Sequence, residues 1–429
     1  MPPTLHFDTM QQELHDLSRQ FVLVGVTGTK GKTTTSSLIA HLLNTAGIPA
    51  ACTTTIETLI PGEQPWPTCK TQRMLLALLK RLQELNIHHV VVEAPSYSLA
   101  NGLAEVCVFT GAVFTNLGQE HLNIHRDREH YLQAKQRLFT SLGRYPTPRS
   151  RIWAALNADD PGSSVTSGVV GPNVDVLHFA LARQGYRPRG LAFYAARRRF
   201  TKTWSRYTVT SPERAQVAIH TPLLGEFNVY NALGAITAGY CLGLSPLDIQ
   251  KGMATFMPPP GRFELIGGEG KRPLVIIDYA HTPESLEQVL MAARQLGRKG
   301  RLWTVFGCGG ETDPAKRPLM GAAAASLSDR IVLTNDNPRR EDPAAIVAQI
   351  MAGCSTNPGI VEIMLDRAKA ISHAFNQAAA HDTIVIAGRG HETEQIFADG
   401  AKSFSDREFV YDLFRYDDEG ERRSPWKKS

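Results

Sequence analysis

The sequence predicts an α/β protein made of two doubly wound domains, and three observations predict it. Short, unbroken apolar runs of the kind found in buried parallel strands alternate with segments of helical periodicity along most of the chain. A rigid break, Pro258-Pro259-Pro260-Gly261, divides that alternation in two. Near the start, a strand runs into a helix through Gly28-Thr29-Lys30-Gly31-Lys32-Thr33-Thr34-Thr35, a turn with the composition of a phosphate-binding loop.

The elements follow in order. Phe21 to Val26 reads as a buried strand, and Leu38, Ile39, Leu42 and Leu43 as the apolar stripe of a helix closed by Gly47. Met74 to Leu85 is a helix, and His89 to Val92 a strand ending at Glu93. Ala112 to Thr115 is a strand leading to a polar loop with His121 and His125, followed by a helix from Glu129 to Leu142 that carries Lys135. From Ser150 to Pro222 the pattern is less regular and reads as an antiparallel extension. Beyond the proline break, strands at Leu274–Ile277, Leu302–Phe306, Ile331–Thr334, Val361–Met364 and Ile384–Ala387 alternate with helices at Glu284–Leu296, Arg317–Ser326, Pro343–Met351 and Arg367–Ala380.

The totals exclude several classes. A length of 429 residues suits two or three domains, and 42% hydrophobic residues suit a sizeable core. No apolar run approaches the roughly 18 residues of a membrane span, and Met1 to His15 lacks the order of a signal peptide. Six scattered cysteines without a Cys-x-x-Cys pair argue for reduced thiols in the cytoplasm and against structural zinc. The basic cluster Arg197-Arg198-Arg199 with Lys202 and Arg206 reads as a solvated face rather than a nucleic-acid patch.

The chemistry starts at the loop. Gly28 and Gly31 let backbone N–H groups close on phosphate oxygens, Lys32 supplies charge to the terminal phosphates, and Thr33 offers a hydroxyl to Mg²⁺. The spacing departs from the usual form, since Val26 stands where a first glycine is expected. Ligands gather beyond the carboxyl ends of parallel strands, and the loop, Glu93 and His121 all lie there. In the second half, three such loops should converge: Gly307–Gly310, Asp336–Arg339 and Gly388–Glu392.

From about Val22 to Leu413 the chain resembles the Mur ligase family, most closely the MurE type. The likeness is carried by Gly28–Thr35, Thr115–Leu122, Ala134–Phe139, Leu156–Pro161, Gly225–Ala232, Pro260–Glu264, Asp278–Pro283, Lys316–Gly321, Asp336–Arg339 and Gly388–Glu392. The resemblance implies a P-loop ATPase-type doubly wound central domain at 21–267 and a Rossmann-like C-terminal domain at 268–416. A short extension, 1–20, and a charged tail, 417–429, flank them. It implies an ATP- and Mg²⁺-dependent ligase in which a carboxylate takes the γ-phosphate as an acyl phosphate and an amine displaces it, releasing ADP and phosphate.

Residue by residue, the resemblance implies that Gly28, Thr29, Lys30, Gly31, Lys32, Thr33 and Thr34 hold the nucleotide phosphates. Thr33 and Glu93 would bind its Mg²⁺ and His121 a second one, while Lys135 matches a lysine that becomes carbamylated. Asn231, supported by Asn228, would read adenine. Arg262, Asp278 and His281 would contact ATP from the second domain, and Lys316 with Arg317 would reach its phosphates. Asp336, Asn337, Arg339, Gly388 and Glu392 match the incoming amino-acid pocket in its diaminopimelate form. The partners implied are an amino acid and a carboxylate acceptor.

Four departures shape the expectation. About twenty residues precede the first strand, where the family carries a UDP-binding domain. Ala94-Pro95-Ser96-Tyr97 replaces a Ser-Ser-His run, and Pro67-Thr68-Cys69-Lys70-Thr71 replaces an acceptor contact. The family's diaminopimelate-binding arginine falls on Thr312. Together these lead to the expectation of a ligase on a different, non-UDP acceptor that uses diaminopimelate poorly. Two alternatives stand beside it. One is a stem-peptide ligase acting on a UDP-muramoyl dipeptide, with weak acceptor binding or a partner chain supplying it. The other is a non-catalytic nucleotide-binding regulator. Folylpolyglutamate synthetase is the nearest other ligase, but the Asp336–Arg339 and Gly388–Glu392 loops do not suit it.

Overall fold

The computed structural model describes residues 8–118, 125–145, 151–182, 192–296, 299–355 and 360–418. The chain forms two compact units, Met1–Met257 and Pro258–Ser429. Each is α/β with a mixed sheet.

The first unit opens with α1 (Thr9–Ser18), β1 (Val22–Thr27), α2 (Lys32–Thr45), β2 (Ala50–Thr53), β3 (Thr58–Leu59) and α3 (Gln72–Glu84). Then come β4 (His89–Glu93), α4 (Ser96–Ala100), α5 (Leu103–Val106), β5 (Gly111–Phe114) and α6 (Arg128–Ser141). It closes with β6 (Trp153–Asn157), α7 (Pro161–Ser167), β7 (Asp175–Leu181), β8 (Ala192–Phe200), β9 (Ser205–Thr210), β10 (Gln216–Thr221), α8 (Glu226–Cys241) and α9 (Pro246–Thr255). Among the described residues the strands lie in the order β10-β9-β8-β7-β6-β5-β1-β4-β2-β3. Alternate residues of β1 serve opposite faces, as a pleated strand requires. Val24 and Val26 pack into a core with α2, α8 and α9, and Leu23 into one with α1, α3 and α6. Every residue of β1 is buried, which is why its sequence is apolar without alternation.

The expectation of an antiparallel extension over Ser150–Pro222 is corrected in part. β6, β7 and β8 continue the parallel sheet, and only β8, β9 and β10 run antiparallel. The reason is visible at β6, whose residues are all buried and which leads into α7, capped by Asp160 with Pro161 in its first turn.

The second unit holds β11 (Glu264–Gly267), β12 (Leu274–Asp278), α10 (Pro283–Gln295), β13 (Leu302–Phe306), α11 (Lys316–Leu327), β14 (Arg330–Leu333) and α12 (Pro343–Gly353). β15 (Val361–Ile363), α13 (Arg367–Gln377), β16 (Thr383–Ala387), the hairpin β17 (Glu394–Phe397) and β18 (Gly400–Ser403), and α14 (Asp406–Asp418) complete it. The main sheet runs β11-β12-β16-β13-β14-β15, parallel except at β11. β11 lies within the 21–267 range assigned to the first domain from sequence, yet pairs with β12 of the second sheet. A bidentate pair, Arg367 with Asp406 at 2.7 and 2.8 Å, ties α13 to α14 with neither side chain exposed.

No described helix is long and apolar enough to cross a membrane. The charged tail expected over 417–429 lies outside the described residues from 419 onward.

Candidate active site

β1, β4 and β5 are neighbours in register, with Val26 opposite Glu93 and Thr27 opposite Phe114. Their carboxyl ends therefore deliver the glycine loop, Glu93 and the Thr115–Gly118 turn to one edge. Gly28 and Gly31 both adopt positive φ, +145° and +81°, which a side chain would resist. Gly31 is the N-cap of α2, so the helix begins inside the loop with its N–H groups turned toward it.

The loop is clamped from β5. Asn116 Oδ1 accepts from the Lys30 amide at 2.9 Å, and Asn116 Nδ2 donates to the Lys30 carbonyl at 3.0 Å. Thr115 Oγ1 donates to the same carbonyl at 2.6 Å. Thr29 Oγ1 accepts from the Gly118 amide at 2.8 Å and from the Tyr131 hydroxyl at 3.2 Å. Lys32 Nζ folds back on the Thr29 carbonyl at 2.8 Å. Thr34 is buried behind the loop.

Thr33 Oγ1 donates to Glu93 Oε2 at 2.9 Å, and the Thr55 amide donates to the same oxygen at 3.0 Å. A buried carboxylate beside a threonine hydroxyl is an all-oxygen donor set of the kind that suits Mg²⁺, and the residues fit that ion. Lys135 is buried on α6, with Nζ donating to the Gly28 carbonyl at 2.7 Å and lying 4.2 Å from the Tyr131 ring centroid. His121 lies outside the described residues. His125, on the same connection, bonds Ser96 Oγ at 2.9 Å. Burial and then Lys135 and His130 hold its pKa below the usual imidazole value.

Asn231 and Asn228 sit one turn apart on α8. Asn231 Nδ2 donates to Asn228 Oδ1 at 2.9 Å, and Asn228 Nδ2 to the Leu224 carbonyl at 2.8 Å. Asn231 lies directly against Gly31, where a Cβ would fall on its side-chain oxygen.

In the second unit, three loops leave the carboxyl edge of the sheet. Asn337 holds two of them together, donating to Glu392 Oε2 at 2.8 Å and accepting from the Ile396 amide at 2.9 Å. Arg339 has φ +53°, and its guanidinium donates to the Gly310 carbonyl. Thr312 turns its hydroxyl onto the Gly309 carbonyl at 2.8 Å. Gly388, at φ +110°, lets Asp336 come close to the backbone. Burial first, then Asp336, raises the Glu392 pKa. Arg389 is fully buried beside Glu392 (3.6 Å) and Asp406 (4.0 Å).

Arg262 stacks over Tyr279 at 4.7 Å, and His281 Nδ1 bonds the Tyr279 carbonyl at 2.7 Å. Asp278 accepts from the Phe263 amide at 2.8 Å. Lys316 opens α11. Arg317 is buried and held by Gln349 (2.8 Å), Glu341 (2.8 Å) and the Gly309 carbonyl (3.1 Å). Its guanidinium is thus engaged within its own unit. Sequence reasoning gave no role to Asn116, Tyr131, Thr55 or Arg389. The position of Asn116 just past a strand's carboxyl end was the available signal.

Two family descriptions match this chain, the Mur ligase middle domain over residues 26–239 and the Mur ligase glutamate ligase domain over residues 261–390. A UDP-N-acetylmuramoyl-L-alanyl-D-glutamate–2,6-diaminopimelate ligase of Synechococcus elongatus is 40% identical over 400 residues, covering 90% of this chain and 75% of that protein. The chain belongs to the Mur ligase family. It is of the MurE type, an ATP-dependent amide-bond-forming ligase. A solved UDP-N-acetylmuramoyl-L-alanyl-D-glutamate–2,6-diaminopimelate ligase superposes with a TM-score of 0.64 at 31% identity, covering 93% of this chain and 79% of that one. Folylpolyglutamate synthase of Mycobacterium tuberculosis, at a TM-score of 0.68 and 18% identity over 89% of this chain and 92% of its own, shares the fold.

These relatives overturn the expectation of a non-UDP acceptor. Relatives at 36–40% identity carry the same UDP-muramoyl and diaminopimelate name. The short run before the first strand and the departures at Pro67–Thr71 and Ala94–Tyr97 weighed too heavily in that expectation, while Thr312 bears on the incoming amino acid. The neighbouring Arg339 keeps a guanidinium on the same loop pair, bonded to Gly310.

Proposed function

We propose that this MurE-type ligase joins 2,6-diaminopimelate to UDP-N-acetylmuramoyl-L-alanyl-D-glutamate, with cleavage of ATP to ADP and phosphate. The observation that carries the reading is the joint geometry of the second-unit loops, where Asn337 bonds Glu392 and Arg339 sits on the Gly309–Gly310 turn. A cation and an anion held on adjoining loops suit an amino acid with two charged ends. The printed names of the relatives favour diaminopimelate for that role.

In this reading the first unit is of the P-loop ATPase type and the second Rossmann-like, with the boundary before Pro258. Gly28 to Thr34 cradle the phosphates through backbone N–H groups, and Lys32 leaves the Thr29 carbonyl to meet the terminal phosphate. Thr33 and Glu93 hold Mg²⁺, with His121 assigned to a second ion. Bound there, Mg²⁺ supplies charge neutralisation to the transferring phosphoryl group. Lys135 carries a carbamate, whose remaining N–H can keep the bond to Gly28. Asn231 and Asn228 serve the adenine side. Arg262, Asp278, His281 and Lys316 serve the nucleotide from the second unit. The acceptor carboxylate attacks the γ-phosphate, and the amine then attacks the acyl phosphate and expels phosphate. Asp336, Asn337, Arg339, Gly388 and Glu392 orient that amine.

Six free cysteines and the absence of a membrane-crossing helix among the described residues support a cytoplasmic setting. The test is direct. Lys32→Ala and Glu93→Ala should each abolish phosphate release while leaving the circular dichroism spectrum unchanged. Wild-type rates in either variant would refute the site.

A further inference from the structure

Behind Glu392 the second unit holds a cluster of charge. Arg367, Arg389, Asp336 and Asp406 are all buried there. Arg367 and Asp406 satisfy each other through two bonds. Arg389 is then the cation left to Asp336 and Glu392, and both carboxylates act on its charge.

The guanidinium of Arg389 is only partly used. Its Nη2 donates to the Glu394 carbonyl at 2.6 Å and to the Phe404 carbonyl at 3.1 Å, which ties the β17–β18 hairpin to this loop. Its Nε and Nη1 are buried and have no hydrogen-bond partner among the described residues. Buried donors left unfilled are costly, so a purely structural arginine would place them on carbonyls as well. Instead Nε lies 3.6 Å from Glu392 Oε2, the oxygen that Asn337 already holds at 2.8 Å.

Glu392 needs that cation. Burial and Asp336 favour its neutral form, and against them stand the Asn337 bond, then Arg389, then Arg367 on α13. A neutral carboxyl group gives an ammonium group no charge to bind.

We propose that Arg389 is a positioning residue for the incoming amino acid, holding Glu392 as a fixed carboxylate against Asn337 so that it receives an ammonium group. This rests on the amino acid assigned above. Arg389 acts through Glu392 and does not itself touch the substrate.

The experiment measures phosphate release against diaminopimelate concentration for wild type, Arg389→Gln, Arg389→Lys, Glu392→Gln and the double variant Arg389→Gln/Glu392→Gln. Gln keeps a donor for the carbonyls and loses the charge, whereas Lys keeps the charge and loses the fork. Arg389→Gln should raise the diaminopimelate KM about ten-fold, as expected for loss of one charge-assisted contact, with the ATP KM unmoved. That rise should steepen as pH falls from about 8 to 6, because Glu392 without its cation takes up a proton sooner. Arg389→Lys should stay near wild type. In the double variant Arg389→Gln should add nothing to Glu392→Gln. A wild-type diaminopimelate KM in Arg389→Gln, or effects that simply add in the double variant, would overturn the inference alone. KM does not depend on the fraction of enzyme that folds. Should Arg389→Gln not fold at all, Arg389→Lys decides: a wild-type KM and pH profile support the charge role, and a raised KM with an unchanged pH profile overturns it. No turnover of diaminopimelate by the wild type would bring down the amino-acid assignment, and this inference with it.

Discussion

Replacing Gly31 by Ala probes the phosphate loop at its tightest point. The residue sits at φ +81°, in the left-handed region that costs an L-residue roughly 1–2 kcal/mol. The added Cβ would fall on Asn231 Oδ1, with Asn231 Cγ at 3.0 Å. Asn231 is buried and cannot swing into solvent. It must move and give up its 2.9 Å bond to Asn228, which costs about 0.5–1.5 kcal/mol more. The expected loss is about 2–3 kcal/mol, localised to the start of α2. It should appear as faster hydrogen exchange of the α2 amides and an ATP KM raised by at least ten-fold. The double variant Gly31→Ala/Asn231→Ala removes the clash but not the strain, so it should recover part of the stability. A Gly31→Ala protein with wild-type exchange and unchanged ATP KM would refute the reasoning.

Other outcomes follow from the same geometry. Lys135→Ala should be nearly inactive and regain activity with added short carboxylic acids; an unmodified lysine in protein that is fully active in bicarbonate would count against the carbamate. Asp406→Asn leaves the buried Arg367 without its charge partner, and should destabilise the second unit by about 3–5 kcal/mol in a urea titration; a shift below 1 kcal/mol would refute that. Burial first, then Arg262 and Arg407, depresses the His391 pKa to about 4 from 6.5. A depressed histidine favours the folded state while neutral, so its contribution is complete above about pH 6.5 and is lost as pH falls through about 4. His391→Phe should flatten that part of the stability–pH curve, and an unchanged slope would contradict the assignment.

Much of this fold was legible because local signals agreed with tertiary ones. Buried parallel strands such as Leu302–Phe306 need no polar alternation, and the sequence shows none. The elements that escaped have reasons. α1 is short and is signalled only by the Asp8–Gln11 capping box. The β17–β18 hairpin carries mostly exposed residues, so burial left no periodicity to read. The region after Ser150 mixes parallel and antiparallel pairing, which strand patterns alone do not separate.

The site was legible as a set of motifs but not as a network. Glu93, Thr33 and Lys135 could be named from their positions past strand ends. The clamp of Asn116 on Lys30 could not, because it joins residues 86 positions apart. The acceptor was misjudged because the short run before the first strand and the local departures at Pro67–Thr71 and Ala94–Tyr97 were weighed above the motifs that the rest of the chain keeps.

The most direct measurement of the central claim is a product analysis. Wild-type protein is incubated with ATP, Mg²⁺, UDP-N-acetylmuramoyl-L-alanyl-D-glutamate and 2,6-diaminopimelate, and the mixture is read by mass spectrometry. The account predicts the UDP-muramoyl tripeptide containing diaminopimelate, formed one-for-one with ADP and phosphate. Lysine taken in preference, AMP and pyrophosphate in place of ADP, or no tripeptide at all would contradict it.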